Sequence, residues 1–311
     1  MKAAQIRSFG DTDQLEVVEI PVPGIGHGEV LIRVGAAGLN PKDVLVRKGK
    51  FRRLTGSKFP MGVGFEFSGV VEATRASEFQ PGQEVFGMIN GWQGRCCAGY
   101  VAVAAGELAR SPQNFPALEV AGIPLAGQTA LQALRDKGKL QPGQRVLING
   151  ASGGVGTLAI QIANAFGGEV TAVSGTANVE RCASLGAHRA ISYEATELTT
   201  LQEEFDLFFD VFGNYSFQTI AHLLKPGGRY VTTVPKPAIF VEQLKNVFRR
   251  KKALMVVVRS NTADLEWLRD HLETGQLQPV VDSTYPLGEV VEAQLRIASK
   301  RARGKVIVDL G

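Results

Sequence analysis

Apolar and polar positions alternate with a period near two over the first third of the chain, then switch to helical spacing broken by short apolar runs. The alternating part predicts strands over residues 2–7, 15–19, 29–35, 67–73, 84–86 and 100–103, with Pro23-Gly24, Pro81-Gly82 and Gly91 as the turns between them. Asn40-Pro41 predicts the start of a short helix, because the fixed φ of proline suits a first helical turn. Beyond residue 118 the spacing predicts helices over 129–137, 157–166, 178–185 and 215–224. Strands over 145–149, 169–173, 190–193, 206–212, 229–234 and 254–258 alternate with them. That order is the signature of a doubly wound α/β domain with a parallel sheet of about six strands. Helices at 264–273 and 289–299 and a strand at 305–309 follow the last of these, and this tail is expected to rejoin the first domain. The resulting division is 1–117, 118–259 and a returning segment, 260–311.

A glycine-rich turn, residues 150–156, sits between the predicted strand 145–149 and helix 157–166. It reads Ala151-x-Gly153-x-x-Gly156, the dinucleotide fingerprint with alanine at its first glycine. Gly153 lets backbone approach a pyrophosphate, Gly156 lets the helix lie close on the strand, and free N–H groups at the helix start face the negative charge. Ser152, Gly153, Gly154 and Val155 are therefore candidate cofactor contacts. About 20 residues on, where an NADH reader carries Asp or Glu, this chain has Ser174, Gly175, Thr176, Ala177 and Asn178, with Arg181 one turn further. Small polar groups plus an arginine favour the 2′-phosphate of NADPH.

The chain has 311 residues, 44% hydrophobic and 21% charged, enough for two buried cores. Its formal charge of +4 is concentrated in Arg249-Arg250-Lys251-Lys252 and Lys300-Arg301-Ala302-Arg303, read as solvated ends of elements and not as a nucleic-acid surface. With no run of 18 apolar residues and no apolar leader, the expectation is a cytoplasmic protein without a membrane partner. Three cysteines, two of them adjacent, suit neither a disulfide framework nor a zinc lobe, so no metal is expected; Cys182 is read as core.

Taken together, Ala36-Ala37-Gly38-Leu39-Asn40-Pro41-Lys42-Asp43, Gly64-Phe65-Glu66-Phe67-Ser68-Gly69, Pro124-Leu125-Ala126-Gly127-Gln128-Thr129, the glycine turn, Asp210-Val211-Phe212-Gly213, Tyr285-Pro286-Leu287 and Gly304-Lys305-Val306 make a resemblance. The chain resembles the zinc-independent quinone oxidoreductase (ζ-crystallin-like) branch of the medium-chain dehydrogenase/reductase superfamily, near its reticulon-interacting members. The resemblance implies a GroES-like β-barrel catalytic domain beside a Rossmann domain, with the active site between them, and a homodimer joined at the Rossmann sheet edge, where residues 254–258 form an apolar last strand. Zinc-using relatives carry cysteine where this chain has Asn40 and histidine where it has Phe65. Carried over, Asn40 is the catalytic amide beside nicotinamide and substrate. Thr129 lies near the carboxamide or phosphates, Ser174, Asn178 and Arg181 near the 2′-phosphate, and Tyr193 at the adenosine end. Phe212 and Gly213 lie under the ribose, and Val234 near the nicotinamide. Asp43 and Glu66 are expected as buried hydrogen-bond partners.

Where several relatives have a catalytic tyrosine, this chain has Leu45 and Phe51, and the nearest ionisable side chain, Lys42, reads as an exposed lysine. The expected activity is NADPH-dependent hydride transfer to a quinone or an α,β-unsaturated carbonyl. The alternatives are an enoyl-thioester reductase and a non-catalytic NADPH-binding, redox-sensing or RNA-binding protein.

Overall fold

The computed structural model describes all residues, Met1–Gly311, and divides into two compact units, Met1–Gln128 with Arg259–Gly311 and Thr129–Val258. The division falls between Gln128 and Thr129, not at residues 117/118, and the reason is packing. Residues 117–128 are bonded to the first unit: Ser68 Oγ donates to the Ala117 carbonyl, and the Leu125 N–H donates to Glu66 Oε2 at 2.7 Å.

In the first unit a seven-stranded sheet is built around the long strand Glu29–Leu39. That strand pairs antiparallel with Glu66–Thr74, with Tyr100–Ala104 and with the late strand Lys305–Asp309. The Lys305–Asp309 register sets Val306 opposite Leu39, so the residue before Val306 arrives beside the residue after Leu39. The tail also contributes the helices Thr262–Glu273 and Val290–Ala298 to this unit. A smaller three-stranded sheet is built from Leu15–Glu19, Lys2–Ile6 and Met61–Gly62.

The second unit holds a six-stranded sheet in which every pairing is parallel. Its spatial order is Arg189–Ser192, Glu169–Ser174, Arg145–Asn149, Phe205–Asp210, Leu224–Thr232, Lys252–Met255. Counted along the chain that is 3-2-1-4-5-6, the Rossmann order, with its reversal between Arg145–Asn149 and Phe205–Asp210. Ligands of such sheets bind beyond the carboxyl ends of the strands at that reversal, where the glycine turn lies. Leu147, Val173, Phe205, Phe208, Ile220 and Leu224 fill the core on one side of the sheet.

Two of the expected helices differ in extent, and a further one, Pro237–Lys245, was not expected. The one expected from residue 129 begins at Pro124, runs to Leu131 and continues as a π-helical stretch over Gln132–Lys137, since Pro124 is a tolerated first-turn residue. The helix expected over 215–224 is a single capped turn, Phe217–Ile220, followed by a 3₁₀ turn.

Candidate active site

In the first unit the site is built on the end of Glu29–Leu39. Asn40 leaves that strand with extended backbone and caps the helix Pro41–Arg47, with Asp43 Oδ2 returning a bond to the Asn40 N–H at 2.9 Å. The Asn40 side chain is 4% exposed. Its Nδ2 donates to Glu66 Oε1 at 2.8 Å, and its Oδ1 accepts from Lys305 Nζ at 2.6 Å. Lys305 Nζ also donates to Glu66 Oε1 at 2.6 Å, an ion pair with side chains 6% and 0% exposed. Both ends of the amide are thus fixed, and the second Nδ2 hydrogen has only a long contact of 3.5 Å to the Gly38 carbonyl.

Asp43 and Glu66 are buried partners, as expected, and neither is placed as a mobile acid. Each carboxylate oxygen of Asp43 accepts a backbone N–H, from Asn40 and from Gly64 at 2.8 Å. Burial nevertheless pushes the Asp43 carboxyl up to about 6, against the lowering effect of those bonds.

Lys42 is half-buried, where the sequence suggested a fully exposed lysine. Its ammonium lies 3.7 Å from the Phe65 ring centroid and 5.2 Å from that of Trp92, and it donates to the Gly91 carbonyl at 2.8 Å. Desolvation lowers its pKa, partly offset by Asp43 and Cys96. Phe51 packs against Trp92 in a tilted arrangement with centroids 5.2 Å apart, while Leu45 is exposed. Cys96 and Cys97 are fully buried and burial pushes both thiols well up, so neither is a ready thiolate.

In the second unit the glycine turn opens the helix Gly154–Ala165, with Gly153 as N-cap. A Cβ on Gly156 would stand 2.2 Å from the Gly150 carbonyl oxygen, so only glycine fits there. A Cβ on Gly153 would meet nothing nearer than the Gly150 carbonyl oxygen at 3.6 Å, so this side of the turn is not crowded. Ser152, Gly154 and Val155 are half-buried, and the first-turn amides have no acceptor inside the helix. These residues fit a dinucleotide pyrophosphate.

Beside the turn, Phe212 is 52% exposed and packs against Gly150, while Gly213 takes a φ of 74° and lies against the Val234 side chain. Asp210 holds this loop: its Oδ1 accepts from Asn149 Nδ2 at 2.7 Å and from the Gly213 N–H at 2.8 Å.

At the expected 2′-phosphate place, Ser174 turns inward, with its hydroxyl donating to the Gly175 carbonyl. Arg181 is exposed on the helix Val179–Ser184, and Asn178 Oδ1 is buried without a partner. Tyr193 is 57% exposed, which removes core packing as its role. Sequence reasoning missed Glu194. The parallel register of Ser174 with Ser192 carries it beside Gly175, where it accepts from Thr176 Oγ1 at 2.6 Å. Thr129 is buried in the interior of Pro124–Leu131 and is not a helix cap.

A Rossmann sheet with this turn, joined in one chain to a β-rich unit that buries an asparagine–glutamate–lysine cluster, defines a nicotinamide-dependent oxidoreductase of the medium-chain type. The chain matches the model of the alcohol dehydrogenase GroES-like domain over residues 26–130 and that of the zinc-binding dehydrogenases over residues 185–308. It is 30% identical to a chloroplast envelope quinone oxidoreductase homolog of Arabidopsis thaliana, over 99% of this chain and 98% of that one. It is 33% identical to the NADPH-dependent alkenal/one oxidoreductase of the same plant, over 99% of this chain and 79% of that one. The quinone oxidoreductase of Coxiella burnetii superposes with a TM-score of 0.91 at 28% identity, covering 100% and 99% of the two chains. The chain belongs to the medium-chain dehydrogenase/reductase superfamily, in its quinone oxidoreductase branch. No three His, Cys, Asp or Glu side chains gather as metal ligands would, and no helix is long and apolar enough to cross a membrane.

Proposed function

We propose that this protein is a zinc-independent, NADPH-dependent reductase of quinones or α,β-unsaturated carbonyl compounds. The observation that carries the reading is the Asn40 amide, held at both ends by Glu66 and Lys305 with one N–H left weakly engaged. When bound, the reduced nicotinamide supplies a hydride, which leaves negative charge on the acceptor's carbonyl oxygen. Asn40 donates to that oxygen from a position fixed before the reaction, so no reorganisation is required as charge develops. Asn40 and Phe65 supply neither thiolate nor imidazole, which supports chemistry without zinc and disfavours unactivated alcohols.

Ser152, Gly153, Gly154 and Val155 hold the pyrophosphate in this reading. Phe212 and Gly213 lie under the adenine ribose, Tyr193 flanks the adenosine end, Thr129 and Val234 serve the nicotinamide end, and Gly175, Asn178 and Arg181 receive the 2′-phosphate. The name of the Arabidopsis alkenal/one oxidoreductase supports NADPH. Glu194 works against it, so the preference over NADH is narrow.

We further propose that the protein is a cytosolic homodimer. Support comes from three buried free cysteines, which suit a reducing compartment, and from Lys252–Met255 as a sheet-edge strand next to the exposed Val257. Of the basic residues 249–252, Arg249 is paired with Glu242, Lys251 with the Ala221 carbonyl and Lys252 with that of Asn246, which disfavours a phosphate-binding role for the cluster.

The test is to follow loss of reduced nicotinamide absorbance with a panel of quinones and enones. Turnover above background with NADPH is expected, and none with any acceptor overturns the reading.

A further inference from the structure

An ammonium half-removed from water, with one hydrogen bond, is costly to keep unless it has a second partner at some stage. Lys42 is such a group. Two aromatic faces, Phe65 and Trp92, and the Gly91 carbonyl hold its Nζ, and two of its three N–H bonds have no acceptor in the chain. Phe65 immediately precedes Glu66, which receives the Asn40 amide, and Lys42 stands two residues beyond Asn40 on the same helical turn. Lys42 and Phe65 are thus chain neighbours of Asn40 and Glu66, the amide and carboxylate assigned to the acceptor's side.

We propose that Lys42 is a catalytic residue: its ammonium, steered by Phe65, Trp92 and Gly91, binds the acceptor's carbonyl oxygen and protonates it after hydride transfer. The inference rests on the reductase reading above.

The hydride forms a C–H bond at the β-carbon as the C=C π bond breaks, and that electron pair becomes an enolate. On a quinone the same addition gives a ring enolate, and the hydroquinone forms once the added carbon gives its C–H proton to water and the second oxygen takes one from water. Lys42 Nζ–H then gives its proton to the oxygen, and the neutral amine regains one from solvent. The enol reverts to the ketone through water. The reduced nicotinamide is oxidised and the acceptor reduced, each by two electrons.

The titratable groups facing Lys42 are Asp43 on its own helix and Cys96 on the segment after Gly91. Asp43 favours the charged ammonium while burial disfavours it, and burial is the larger effect, so the donor loses its proton below the ordinary lysine range.

The experiment compares wild type with K42M, K42Q and K42R in two assays. In the first, protein without nucleotide is titrated with 4-nitrophenol, whose phenolate absorbs differently from the phenol. Wild type and K42R should bind the phenolate and lower its apparent pKa, and K42M and K42Q should bind at least tenfold more weakly. In the second, kcat/KM for an enone is measured against pH. Wild type should lose activity on the alkaline side, K42R should shift that limb upward, and the neutral variants should lose roughly 10²-fold in kcat and the limb with it. The NADPH dissociation constant should stay within twofold throughout. A kcat within twofold of wild type in K42M and K42Q, or undiminished nitrophenolate binding, overturns the role of Lys42 and leaves the reductase reading standing. Wild type inactive with every acceptor overturns both.

Discussion

Lys305 Nζ stands 2.6 Å from Asn40 Oδ1 and 2.6 Å from Glu66 Oε1, so one buried cation fixes both the amide and the carboxylate that faces it. Removing the cation leaves Glu66 charged and uncompensated in a place with no solvent. K305M should lower unfolding stability by about 3–5 kcal/mol, the usual cost of breaking a buried pair. Adding E66Q should recover part of that loss, because the stranded charge goes with it. Urea titration of the two variants checks this, and a loss below about 1 kcal/mol for K305M would mean that the pair does not hold the unit together.

Glu194 places a carboxylate beside Gly175 and Thr176, where the proposed NADPH would bring its 2′-phosphate. E194Q removes one screened repulsion, worth about 1 kcal/mol, and should tighten NADPH roughly fivefold. NADH, which has a hydroxyl there, should bind no better. Calorimetry with both nucleotides measures the ratio; equal gains for the two would show that Glu194 does not read the ribose.

Asp43 gives a pH signature. Its folded pKa, about 6, lies above that of an exposed aspartate, so its contribution to stability is fully present below about pH 4 and is lost as pH rises through about 6. The sign is opposite to that of a salt-bridged carboxylate. Relative to D43N, which cannot titrate, wild type should become less stable between pH 4 and 7 by on the order of 3 kcal/mol. Melting curves of both proteins across that range test it, and a constant difference would mean that Asp43 is ionised throughout.

The two glycines of the turn should separate folding from binding. G156A drives a methyl into the Gly150 carbonyl oxygen and the Ala151 backbone and should cost about 1–3 kcal/mol as well as nucleotide affinity. G153A makes only an ordinary contact with the Gly150 carbonyl oxygen, so its melting temperature should stay near wild type while NADPH binding weakens. Unchanged nucleotide affinity in G153A would place the pyrophosphate elsewhere.

The glycine turn, the parallel strands around it and the closing strand Lys305–Asp309 were legible in the sequence because each is a local pattern of period, cap or glycine. What could not be read was set by partners far along the chain. Lys305 looked like part of a motif, and only the antiparallel register with Glu29–Leu39 puts its ammonium on Asn40. Glu194 followed a candidate tyrosine, and only the parallel register of neighbouring strands brings it back to Gly175. The helix Pro237–Lys245 went unread although Phe240, Val241 and Leu244 recur at helical spacing; in the structure that apolar stripe is exposed and forms no part of a core. Lys42 read as a solvated lysine because nothing within its own helix reveals the two aromatic rings that shield it.

Asn40 and Lys305 are 265 residues apart, and the whole of Thr129–Val258 is threaded between them. During translation the β-rich unit therefore emerges first yet cannot finish. The ribosome must deliver the nucleotide-binding unit and then the last strand before the cation reaches its two acceptors. Until then Glu66 lacks its counter-charge and the edge of Glu29–Leu39 stays unzipped, so a growing chain passes through a stage open to chaperones and to wrong strand partners.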